Sequence, residues 1–378
     1  MQHRVVIYTC AQNLLFMRKA TLLLLVTMAI IAFNKNAYAQ GCVAIRSTAG
    51  IGMEHPGKND TASSWVLSFS NRYFKSFRHY VGTVDQKQRL ELGNNVINHQ
   101  YTNDVVLTRV LNSRWSLALD LPIEANSRSQ TYTQSGLLNR FSTHSFGEGD
   151  IRITAYAWLW DPANFHKGNI QVGLGIKLPT GEDNYQDYFK TSDSTKTFGP
   201  VDQSIQLGDG GTGLSLEINS YYNFSPKVSV YGNFYYLSNP RDQNGVSNAH
   251  GNTPSASSIA NGSYIMSVPD QYMARIGVDY TVHNWVFSAG ARDECLPVHD
   301  LIGGSDGFRR PGFIISGEPG VTYKFKRVTV YAFVPIAIVR DRTQSVPDKI
   351  TTALTGVYTH GDAAFADYVI NVGASFRL

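Results

Sequence analysis

Gly303-Gly304-Ser305-Asp306-Gly307 fits the Gly-x-Ser-x-Gly pattern that seats a nucleophilic serine on a sharp strand-to-helix turn. Its surroundings deny that context, because it lies in a polar, glycine-rich stretch between two alternating segments. Phe146-Gly147-Glu148-Gly149-Asp150 and Gly208-Asp209-Gly210-Gly211 set acids beside glycines, as calcium and phosphate loops do. Glycine at a strand entrance is equally what a bulge or turn requires. The histidines show no i, i+4 pair of the zinc-protease kind. No catalytic residue, metal site or cofactor is expected.

A stronger signal comes from charges set at every second position. Arg72, Asp120, Glu124, Arg152, Lys177, Glu217, Arg275, Asp279, Arg292, Glu318, Lys324 and Asp367 each fall on the polar face of a segment whose other face is aliphatic or aromatic. Successive strand side chains point to opposite sides, so each such segment is an extended strand with one dry and one wet face. In Ile170 to Leu178 the even positions are Ile, Val, Leu, Ile and Leu, and the odd ones Gln171, Gly173, Gly175 and Lys177. An Arg or Lys facing lipid at mid-depth costs roughly 2 to 4 kcal/mol. If the dry faces meet lipid, these charges line a lumen, where they either pair across the interior or border a substrate path.

Stepping along the chain by this period gives twelve segments, starting near Ser64, Asn103, Trp115, Asp150, Asn169, Thr212, Val228, Asp270, Trp285, Gly312, Val328 and Ala366. Their connections alternate. Short ones lie at 112–114, 162–168, 225–227, 283–284 and 326–327, and long polar ones at 79–101, 126–147, 181–211, 239–268, 298–311 and 341–362. An even strand count with alternating short turns and long loops is the pattern of a transmembrane antiparallel β-barrel, with short periplasmic turns and long extracellular loops. Closure also removes the sheet edges that a twelve-stranded open sheet would expose. Aromatics gather near the segment ends (Trp115, Trp160, Tyr222, Tyr236, Tyr280, Trp285, Tyr323, Phe325), as interfacial girdles would. Prolines 122, 179, 297 and 335 fall late in ascending strands and are expected to mark bends, with a sideways gap in the wall as the alternative.

Composition agrees. Lys+Arg 33 against Asp+Glu 29 is nearly balanced, which disfavours nucleic acid as a partner, and 12% aromatic with 16% charged residues suits a tyrosine-rich β-protein. The apolar run from Ala20 to Phe33 follows Arg18-Lys19 and precedes Ala37-Tyr38-Ala39, which reads as a signal peptide over 1–39, with Met1 or Met17 as the start. That run is shorter than the roughly 20 residues a spanning helix needs. Residues 40–63 have no strand pattern and are a candidate lumen plug before the barrel of 64–378. Cys42 and Cys295, the cysteines beyond the signal region, are either a disulfide or two separate thiols. Lipidation of Cys42 is a third reading, with a poor lipobox.

The stretch from His144 to Asp161 followed by Gly168 to Asn184 resembles the paired-strand core of the outer-membrane family named for the meta-pathway of phenol degradation. Gly147, Gly149, Asp150 and Leu178-Pro179-Thr180-Gly181 are the matching positions. The resemblance extends over 64–378 and implies an architecture related to long-chain fatty-acid transporters. It implies a channel for passive uptake of small hydrophobic or aromatic compounds in the outer membrane of a Gram-negative-type bacterium. Membrane lipid, lipopolysaccharide and the barrel-assembly machinery would then be its partners. A structural or surface-interaction barrel is the alternative, and an outer-membrane hydrolase the third reading.

Overall fold

The computed structural model describes residues 64–378, which form a closed twelve-stranded antiparallel barrel. Its strands are β1 (Trp65–Val81), β2 (Ile97–Val110), β3 (Trp115–Gln134), β4 (Leu137–Glu148 and Arg152–Trp158), β5 (Gly168–Lys177), β6 (Gly213–Asn223), β7 (Val228–Ser238), β8 (Gln271–Val282), β9 (Trp285–Leu296), β10 (Gly312–Lys324), β11 (Val328–Phe333 and Ile336–Arg342) and β12 (Ala363–Arg377). Neighbours in sequence pair as neighbours in space, and β12 closes on β1 from Val66 opposite Arg377 to Tyr80 opposite Ala363. Both chain ends of the barrel lie at the short-turn rim, where Leu378 N donates to Trp65 O.

The outer face is a belt of large apolar side chains. Leu67, Leu107, Leu119 and Ile153 form one register row across β1 to β4. Leu174 is 64% exposed and Ile276 68%. An apolar outer belt around a polar interior is the surface pattern of a transmembrane β-barrel. Aromatic rows bound it: Trp285 against Tyr323 at 4.6 Å on the short-turn side, and Tyr73 paired with Tyr101 on the long-loop side.

Inside, small and large residues interlock. A Cβ on Gly173 would lie 2.5 Å from the Tyr156 ring, and Gly277 and Gly290 are covered by Tyr231, Gly320 by Phe333, and Gly373 by Tyr331. Each glycine on a lumen face leaves the slot that a neighbouring ring fills, so the barrel is narrow and packed.

Four expectations about the connections change. Residues 126–147 are not a loop: β3 and β4 run on past the belt as a hairpin closed by Ser135 and Gly136, whose φ values of 51° and 77° suit the tight turn that matches strand twist. Ser, Thr, Tyr and Arg on both faces hid this extension, because a strand wet on both sides carries no alternation. The fourth strand therefore begins at Leu137 rather than near Asp150, and is broken at 149–151. The second begins at Ile97, leaving a loop of 82–96. The twelfth begins at Ala363. The connection before it holds α1 (Val346–Thr355), started by a capping box between Ser345 and Asp348 and ended at Gly356.

The prolines sort by position. Pro122 is opposed by the break in β4: Asp120 faces Arg152 and Ile123 faces Glu148, so two residues of β3 meet three of β4. This is a bulge, which accommodates a residue without an N–H. Pro335 splits β11, while Pro179 and Pro297 follow the ends of β5 and β9.

Candidate functional site: a divided lumen under a folded-in loop

Nine of the twelve candidate charges are buried within the barrel, Asp279 and Lys324 border an inner cavity, and Asp367 is part-exposed at the long-loop end. On one side Arg152 meets Asp120 at 2.6 Å and donates to the Tyr235 hydroxyl at 2.9 Å, while Tyr156 donates to Glu217 at 2.9 Å. On the other, Glu318 joins Arg275 (Nε at 2.8 Å) and Arg292 (3.3 Å), and Arg292 also holds Glu294 at 2.7 Å. Arg275 is flanked by the rings of Tyr231 and Phe333, 5.6 and 5.2 Å away. Arg72 lies 4.0 Å from Asp104, and Glu124 accepts from Asn126 at 3.1 Å. Asp279 accepts from Ser288 at 2.6 Å, on a lower wall it shares with Lys324. Asp367 sits where β12 is bulged against β1, at the long-loop end, bonded to Arg340 at 2.6 Å and Arg78 at 3.2 Å.

This layer divides the lumen. Above it is a cavity of about 120 Å³ whose walls include Gln100, Glu124, Asp150, Lys177, Leu207 and Arg310. Below it, toward the short turns, is one of about 440 Å³ bordered by Tyr221, Tyr231, Asp279, Lys324, Tyr331 and Phe333. Buried ion pairs offset part of their lost hydration by mutual attraction, and breaking one by removing a single partner is costly.

The upper cavity is roofed by the β5–β6 connection. Within it a 3₁₀ turn, Gln203–Ile205, enters the mouth with Val201 and Ile205 fully buried. Asp202 caps this turn by accepting from Ser204 N at 3.0 Å, and its carboxylate also takes Arg310 of the β9–β10 loop at 2.9 and 2.7 Å and Arg128 of β3 at 3.3 Å. Burial opposes the charge on Asp202, but the Arg128 and Arg310 guanidiniums hold its carboxyl well below the usual range. His250 Nδ1 donates to Pro200 O at 2.9 Å, and burial pushes its imidazole down against the pull of Asp202.

The residues that carried the family resemblance come together at the root of this loop. Asp150 accepts Gly181 N at 3.0 Å through one oxygen and Asp209 N at 3.3 Å through the other, with Lys177 Nζ 3.4 Å away and itself bonded to Asp209. Thr180 Oγ1 accepts from Ile151 N and donates to Gly149 O. Leu207 lies against Gly147, where a Cβ would stand 2.8 Å from it. Leu178 N donates to Ile151 O, and Pro179 starts the loop. Nothing in the sequence spacing marks this as a clasp, because Asp150 and Asp209 meet only after β4 breaks.

The other candidates are placed as follows. Ser305 Oγ accepts from Asp300 N at 2.9 Å within the β9–β10 loop, a local turn bond with no strand-turn-helix around it. Cys295 is buried on the outward face opposite Tyr272, turned away from the lumen. Cys42, the candidate plug 40–63 and the signal peptide lie outside the described residues.

No protein-family model matches the chain, and no curated protein matches it in sequence. Among solved structures it is similar to the COG4313 outer membrane channel from Pseudomonas putida F1, at 11% identity over 84% of this chain and 96% of that one, with a TM-score of 0.53. More distant are a Pseudomonas aeruginosa FadL homologue (10% identity, 89% and 99% covered, TM-score 0.42) and the CymD monoaromatic hydrocarbon channel (11%, 92% and 99%, 0.42). The likeness to the COG4313 channel supports the barrel fold; the phenol-pathway resemblance finds no matching family model.

Proposed function

We propose that the protein is a passive channel of the outer membrane, taking up small hydrophobic or aromatic compounds. The carrying observation is the inversion of the fold: an apolar belt outside and a polar lumen holding two cavities inside. The lower cavity lies within the few-hundred-Å³ range of small-molecule sites and combines four aromatic rings with Asp279 and Lys324. The solved structure that shares this fold, the COG4313 outer membrane channel, is compatible with this reading. Export by the signal peptide, contact with lipid and lipopolysaccharide, and insertion by the assembly machinery belong to the same proposal.

Permeation tests it. Proteoliposomes carrying the purified protein should admit small aromatic solutes faster than protein-free vesicles. Equal rates would favour a structural barrel, and covalent capture of Ser305 by a serine-reactive probe would favour the hydrolase.

A further inference from the structure

We propose that residues 182–208 form a lid that moves as one body over the mouth, hinged at the Asp150 clasp and latched by Asp202. The inference rests on the channel reading and adds its regulation.

The hinge follows from how the loop begins and ends. Its two ends cross at Gly181 and Gly208, with Gly208 N donating to Glu182 O at 3.2 Å and a Cβ on Gly181 only 2.6 Å from Leu207 O. One carboxylate, Asp150, holds an N–H from each end. A compact loop whose ends are pinned together on the scaffold can swing without disturbing the strands it leaves and enters.

The segment between the ends is fastened to itself. Its hairpin pairs Gln186–Lys190 with Lys196–Pro200, and the Gln206 side chain bonds Tyr185 N at 2.9 Å and Val201 O at 2.8 Å. Such internal bonds make the loop a rigid flap rather than a flexible strand of chain.

Further attachments are uncharged at the loop: Gln100 donates to Ser204 O, Ser145 to Ile205 O and Gln203 to Ser267 O, His250 donates to Pro200 O and stacks on Phe189, and Leu207 packs on Gly147. Contacts with the protruding β3–β4 hairpin, Tyr132 to Asp193 and His144 N to Asp187, are solvent-exposed and hold weakly. The buried charged attachment is Asp202, gripped by arginines from two separate elements. Removing one partner leaves the others buried and uncompensated, so the latch is where the docked state is most sensitive.

The test reads lid position and transport separately, in a Cys42→Ser, Cys295→Ser background. Ile205→Cys, buried in the docked lid, is labelled with a water-soluble maleimide. Asp202→Asn and Arg310→Ala should each raise its labelling rate by about tenfold or more. Unchanged rates in both, with the barrels still heat-modifiable, overturn the proposal. In a Gln100→Cys, Ser204→Cys chain, a short reducible thiol cross-linker should stop solute flux and a reductant restore it; full flux through the cross-linked barrel also overturns it. Faster labelling in a protein that passes no solute in any form supports the moving lid and retires the channel reading instead.

Discussion

Asp202 and Arg310 meet through two parallel hydrogen bonds of 2.9 and 2.7 Å across 108 positions of chain, so a turn in one long loop is anchored by a side chain from another. The anchor has a definite pH response. Asp202 is faced by Arg128, Arg310, Ser204 and His250. Its folded pKa is depressed, so its contribution to docking is complete above about pH 3.9 and is lost as pH falls below that. His250 is also depressed, through burial, so its contribution is complete above about pH 6.5 and erodes as pH falls through its lowered value. Relative to a freely exposed cysteine, whose thiolate fraction falls with pH in the same way, labelling of Ile205→Cys should be flat from pH 8 to 7, rise as pH drops below 6.5, and rise again in strong acid. His250→Gln should remove the first rise only.

Glu318 neutralises Arg275 and Arg292 together. Glu318→Gln removes the carboxylate that the two guanidiniums share, at a cost of about 3 kcal/mol or more. The lumen also becomes more positive, so the reversal potential in a KCl gradient should shift toward chloride selectivity. An unshifted potential in a folded, conducting variant would mean that ions bypass this layer.

Leu174 faces outward from the middle of β5. Leu174→Arg should cost roughly 2 to 4 kcal/mol and Leu174→Ala much less. The wild type should migrate faster in SDS before boiling than after it, as closed barrels do, because its backbone groups are satisfied internally. The arginine variant should show a smaller fraction of that compact band after folding into vesicles.

Gly277→Ala drives a methyl into the Tyr231 ring, which also covers Gly290. The expected loss is about 1 to 3 kcal/mol. Tyr231→Ala vacates the slot, so the double variant should lose less than the two single losses added together. Strict additivity in urea unfolding from vesicles would contradict the interlocking described for the interior.

The barrel was legible in the chain because lipid imposes a strict two-residue period. Wherever a strand crosses the belt, as from Ile170 to Leu178, dry and wet faces are sharply separated. The signal fades where the belt ends. Ser127 to Gln134 are polar on both faces and continue as strand, and only the Ser135-Gly136 pair marked the turn. The charges on the wet faces could be named from the period, but their partners could not, since Arg275 to Glu318 and Arg152 to Asp120 are contacts between strands. The roof was invisible for a further reason. Val201, Ile205 and Leu207 are isolated apolar residues in a polar loop, and only a mouth of the right width gives them something to bury against.

The seam between β1 and β12 joins the first described strand to the last, Trp65 to Leu378. Every other strand has a partner within reach as soon as it is made, but β1 has one open edge until the entire ring exists. Folding therefore has a built-in order, in which eleven hairpin contacts can accumulate locally and the twelfth must wait. A shortened chain lacking β12 would leave two unpaired edges, each free to capture a second chain. For this protein, damage near Tyr368 or Phe376 should therefore appear as aggregation during biogenesis, while in the finished ring both edges of β1 are paired.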